Sequence, residues 1–200
     1  LFANCEKKKP PRAASFAEKT MPTDAQLVEQ TQNWVEKVVI GLNFCPFAAR
    51  EVRRGRLFYE IERSSDFSKI LEKLLEIYDR LDKNDQIATV LLILPEGFDD
   101  FGDYLDLVDL AEAELEAQGY DSIYQVASFH PEYCFADSAP DDPANFTNRS
   151  TYPMLHILRE AGLDEALENF PDPEKIPERN MELARKKGLA AMRALRDSCF

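Results

Sequence analysis

Ile87 to Leu94 reads Ile-Ala-Thr-Val-Leu-Leu-Ile-Leu, with Asp85 before it and Pro95 after it. Eight residues are too few for a membrane helix and suit a strand. A strand with no polar alternation must be covered on both faces. That requirement constrains the chain more than any other feature, because it demands layers of structure above and below one sheet.

The flanking segments supply such layers. Leu57 to Glu62 alternates as a half-exposed strand. Phe67, Ile70, Leu71, Leu74, Ile77, Tyr78 and Leu81 then form an apolar stripe at helical spacing, with Ser64 or Ser65 as its cap. After the central strand, Asp99 or Asp100 opens a second helix that Gly119 ends, and Ile123 to Phe129 is a third strand. Alternation of this kind predicts right-handed crossovers and parallel pairing. The expected fold is α/β: a small three-stranded, largely parallel sheet (βαβαβ) with additional N- and C-terminal helices.

Upstream, Thr23 and Gln26 form a capping box ahead of Leu27, Val28, Thr31, Trp34, Val35 and Val38, and Gly41 stops that helix. Downstream, Thr151 to Ala161 reads as a short helix stopped by Gly162, and Glu178 to Arg196 as a final helix that absorbs Gly188. The chain of 200 residues divides into a flexible basic tail, 1–22, and a single α/β domain, 23–200.

The net charge of −13 sets limits on partners. A phosphate backbone needs a basic face, so nucleic acid is excluded as a partner. No apolar run approaches the roughly 20 residues of a membrane span. The tail is different: Lys7, Lys8, Lys9, Arg12 and Lys19 stand against Glu6 and Glu18. It reads as a solvated extension, an electrostatic tether to a protein partner, or the remnant of a targeting segment. The chain starts at Leu1 rather than methionine, which reads as a processed or incomplete start. With four dispersed cysteines and no disulfide framework, a reducing intracellular compartment is expected, in an organelle (mitochondrion or chloroplast) or the cytoplasm.

Candidate chemistry concentrates between Phe129 and Glu160, which holds both histidines, His130 and His156. A long irregular segment with interleaved aromatics and prolines reads as an ordered loop carrying a site. His130 falls at the carboxyl end of the third strand, where open α/β sheets bind ligands, together with Arg63-Ser64-Ser65 and Pro95-Glu96-Gly97. It serves there for proton transfer, or as a buried ring that braces the loop. On a helix, Tyr152, His156 and Arg159 would share one face. Beside Asn148, Arg149 and Ser150, that face could grip a carboxylate or phosphate, or Arg149 could pin the loop to Asp141 or Asp142. Cys45 sits in Asn-Phe-Cys-Pro-Phe, just ahead of Arg50, Arg53, Arg54 and Arg56. Those cations could lower the thiol pKa or bind an anion, whereas a cysteine between phenylalanines also packs as a small hydrophobe. The spacing of His130, Cys134, Asp137, Asp141, Asp142 and His156 matches no zinc or calcium pattern, so no metal is assigned. Nucleotide-binding glycine motifs are absent, and no cofactor is assigned.

These motifs together resemble the domain-of-unknown-function family 1415. The resemblance rests on Gly41-Leu-Asn-Phe-Cys-Pro-Phe-Ala48, Val126-Ala-Ser-Phe-His-Pro131, Phe135-Ala136, Thr147-Asn-Arg-Ser150, Leu155-His156, Leu158-Arg-Glu-Ala161 and Glu178-Arg-Asn180. It spans Leu27 to Gly188 and implies that Cys45, His130, Asn148, Arg149, Ser150, His156 and Arg159 belong to the family's pattern. It brings no activity. Cys134 and Thr151 stand where the pattern has a polar amide and a proline, which speaks against a ligand or catalytic role for Cys134.

Three functional expectations follow. In the first, an enzyme, His130 and Cys45 are catalytic, and Asn148, Arg149, Ser150, Tyr152, His156 and Arg159 bind a small anionic ligand. In the second, the same pocket binds its ligand without turnover. In the third, the protein is a non-catalytic accessory or scaffold subunit docked on a larger complex through its tail and loop.

Overall fold

The computed structural model describes residues 21–168 and 170–200. The basic tail expected over 1–22 therefore lies almost wholly outside the described residues.

The apolar run does become the centre of a sheet. Strand β2 (Thr89–Ile93) is buried at every position. It pairs in parallel with β1 (Leu57–Ile61), Leu57 opposite Thr89 and Ile61 opposite Ile93. Helix α3 (Phe67–Lys83) makes the crossover between them. Its cap is Asp66, whose carboxylate accepts from the Ser68 amide, while Ser64 is occupied by the amide of Asp66. Helix α4 (Phe101–Ala117) is capped by Asp100 as expected and leads to β3 (Tyr124–Phe129).

The sheet has four strands, in the order β1-β2-β4-β3, which corrects the expected three. The fourth, β4 (Met154–Arg159), occupies the segment read as a helix. It runs antiparallel to both neighbours, with Leu91 and Ala127 opposite His156. Met, Leu and Arg favour helix locally, but β2 and β3 present two unpaired edges that only an extended segment can satisfy, and this outweighs propensity. The helical signal survives downstream, where α5 (Glu160–Glu168) starts directly after the strand and contains Gly162.

Both faces of the sheet are covered. Val90, Leu92, Leu155 and Ile157 pack against α3 and α4 through Ile70, Leu74, Ile77, Leu107 and Ala111. Leu91, Ile93 and Met154, one residue out of phase, pack on the opposite face with Trp34, Val35, Val38, Phe146 and Met192. That second layer comes from both ends of the chain. Helix α1 (Asp24–Trp34) starts at the Thr23–Gln26 capping box and continues as π-helix over Val35–Ile40. The expected C-terminal helix is instead two, α6 (Ile176–Lys187) and α7 (Leu189–Asp197), parted at Gly188 with φ 83° and ψ 158°. The loop from His130 to Pro153 is ordered and packs beneath them through a 3₁₀ turn, Pro143–Thr147. Among the described residues no helix is long and apolar enough to cross a membrane.

Candidate functional site

The carboxyl-end loops of β1 and β2 converge as expected, but they close on one another. Arg63 pairs with Glu96 at 2.9 Å and Asp24 at 2.7 Å. A Cβ on Gly97 would stand 2.2 Å from Cβ of Ser65, so only glycine permits this approach. His130 is fully buried beside them. Its Nδ1 accepts from the Glu132 amide (3.0 Å), which leaves Nε2–H to donate to the Phe98 carbonyl (2.7 Å). The rings of Phe101 and Tyr104 pack against it at a tilt. Both nitrogens are spent and burial pushes its pKa down, so the geometry is that of a brace.

Most of the loop's polar residues are spent in the same way. Arg149 donates to the carbonyls of Tyr133 and Pro140 and lies over the Phe146 ring. Its expected carboxylate, Asp142, is held by Arg185 instead, at 2.8 Å. Asn148 donates to the Ser128 carbonyl, Ser150 to that of Tyr152, and the Tyr152 hydroxyl to Gln30. Arg159 points to the α3 face, as the strand's period of two requires, and donates to the carbonyls of Ile87, Leu81 and Asn84. The shared Tyr152–His156–Arg159 face therefore does not exist.

What the fold does open is a cavity of about 330 Å³ on the second face of the sheet, toward the amino ends of β1 and β2. It exists because Ala88, Ala127 and Ala166 are too small to fill the space beneath α2 (Ala48–Arg53) and α5. Its walls are largely apolar, with Val35, Val39, Phe47, Leu91, Phe129 and Leu158. His156 and Cys45 line it, and so do Arg50, Arg54 and Arg56. The cavity thus joins two expected ligand residues, His156 and Arg159, one expected catalytic residue, Cys45, and the arginine cluster, and leaves out His130, Asn148, Arg149, Ser150 and Tyr152. Cys45 and Asn148 also line an adjoining hollow of about 270 Å³.

The chemistry of the lining is specific. His156 Nε2 lies 2.6 Å from the Thr89 hydroxyl, whose oxygen is also 2.6 Å from the Ile157 carbonyl. Nδ1 bonds to no described residue, and the ring lines the cavity. Protein otherwise surrounds the ring, and burial pushes the pKa down to about 4, so the imidazole is neutral at pH 7. Burial raises the Cys45 pKa, offset in part by the amides of Phe47 and Ala48, so Cys45 presents a thiol and not an activated thiolate. Arg50 grips Glu51 at 2.6 Å, and Arg56 approaches the same carboxylate at 3.5 Å. Arg54, exposed at the wall, makes no ion pair with any described residue. Thr89 is the residue that sequence reasoning missed, though its hydroxyl was the sole polar group in the Ile87–Leu94 run. Among the described residues no three His, Cys, Asp or Glu side chains gather as a metal cluster would.

No curated protein and no solved structure matches the chain. The family model described as "Protein of unknown function (DUF1415)" matches residues 26–194, which include every element of the sheet and every residue of this cavity. The chain belongs to the DUF1415 family.

Proposed function

We propose that the protein binds a small amphiphilic acid in this cavity. The apolar body would lie against Val35, Phe47, Leu91, Phe129 and Leu158, and the acid group would meet Arg54 at the mouth. The observation that supports this most is a cation with no described partner at the wall of a largely apolar hollow that is large enough for a small organic molecule. Where the bound molecule is also transformed, His156 and not His130 is the group within reach to accept a proton, and Cys45 is a wall contact.

Phenylpropionate is a suitable probe, having an aromatic body and one carboxylate. Calorimetric titration of the full chain should detect binding that weakens with added salt, and Arg54→Glu should lower the affinity about tenfold. Equal affinity in the variant, or no salt dependence, would remove the acid-binding reading. The rival, an accessory subunit docked through the basic tail, calls for no ligand, so the same titration separates the two.

A further inference from the structure

We infer that Thr89 sets the polarity of the cavity floor, so that the site selects acids carrying a hydrogen-bond donor at the end remote from the acid group. This rests on the acid-binding reading above and narrows it to hydroxylated or N–H-bearing acids.

The argument is a count of protons. A threonine hydroxyl has one hydrogen and two lone pairs, and a backbone carbonyl can only accept. Thr89 Oγ1 lies 2.6 Å from the Ile157 carbonyl oxygen, so its proton is committed there. His156 Nε2, also 2.6 Å from Oγ1, must then be the donor, because two acceptors facing one another would hold no proton between them. That commits the neutral ring to its Nε2–H tautomer and leaves the Nδ1 lone pair on the cavity side, with no described partner. The three groups are held by the sheet itself. Thr89 pairs with Leu158, and His156 with Leu91, in the β2–β4 ladder. A strand pair is rigid, so the lone pair has a defined direction.

The consequence is discrimination. A ligand that buries a methyl or bare ring edge at Nδ1 strips water from an acceptor and returns nothing. A ligand that places an O–H or N–H there satisfies it. Sites built around a hydrogen bond reject analogues lacking it more strongly than apolar pockets reject an extra group. Thr89 is a positioning residue here, acting through His156.

The test uses phenylpropionate and para-hydroxyphenylpropionate on the full chain, its Thr89→Ser variant and its Thr89→Val variant. The unmodified protein and Thr89→Ser should favour the hydroxylated acid by about tenfold, and in Thr89→Val the preference should collapse to about twofold or less. Nitrogen-15 NMR of the unmodified protein reads the tautomer directly, with His130 as an internal Nε2–H standard. A protonated Nδ1 on His156 would overturn the inference without any variant having to fold. Equal affinity for both acids would overturn it too, while leaving acid binding intact. Failure of both acids to bind would remove the acid-binding reading and this inference with it.

Discussion

At the residue scale the two histidines divide roles that the sequence could not separate. His130 holds a loop amide and a loop carbonyl with its two nitrogens, and its replacement by alanine strands both and leaves a void among Phe98, Phe101 and Tyr104. We expect His130→Ala to cost about 2–4 kcal/mol by urea denaturation, with phenylpropionate affinity unchanged in the folded protein. His156 spends one nitrogen and keeps one. Its folded pKa lies near 4, against 6.5 for the free side chain. Between those values the unfolded chain binds the extra proton, so the contribution to stability is complete above pH 6.5, declines as pH falls, and is lost near pH 4. The loss amounts to at most about 3 kcal/mol. Unfolding measured at pH 7.5 and pH 4.5 should show it, and His156→Gln should shrink the difference. Both histidines were named from sequence. Which one faces a cavity depends on the strand that carries it, and no local pattern encodes that.

At the element scale, what was legible followed from short-range physics. The Thr23–Gln26 box and the Asp100 cap form within one turn, so their residues suffice to announce them. The strand β4 was misread because its stability comes from two partners, one before and one after the long α4 crossover. Native-state hydrogen exchange should find the amides of Leu92, Leu155 and Ile157 among the slowest in the protein, an outcome a frayed helix over 151–161 would not give. Gly188 was read as a tolerated helix residue, whereas it turns the chain between α6 and α7 with a backbone only glycine adopts readily. Gly188→Ala should therefore destabilise by about 1–3 kcal/mol instead of strengthening a helix, as thermal melting would show. The small residue under the cavity offers the converse test. Ala127→Leu should occupy the hollow opposite His156 and abolish the phenylpropionate-induced rise in melting temperature without lowering the melting temperature itself.

At the scale of the whole molecule, an antiparallel strand inserted between two parallel ones decides where function can sit. It turns the Arg159 guanidinium toward the α3 carbonyls and His156 toward the termini-derived layer, and so breaks up the expected Tyr152–His156–Arg159 face. The carboxyl ends of β1 and β2, where open sheets commonly bind ligands, are sealed by Arg63 and its two carboxylates. A further ion pair, Arg185 with Asp142, clamps α6 onto the loop and holds the Asp142 pKa down to about 2. Its contribution is present above pH 3.8 and vanishes as pH falls toward 2, so acid unfolding should proceed in two windows, the histidine one first. The amino-acid sequence alone determined the layered α/β class, the buried central strand, the Thr23 and Asp100 caps and the arginine cluster beside Cys45, because hydrophobic period and capping act over a few residues. Only the tertiary structure decided that Thr89 and His156, 67 residues apart, meet at hydrogen-bond distance while His130 is walled in, because that outcome depends on strand order and register. A shift of one residue in β4 would have turned His156 to the other face.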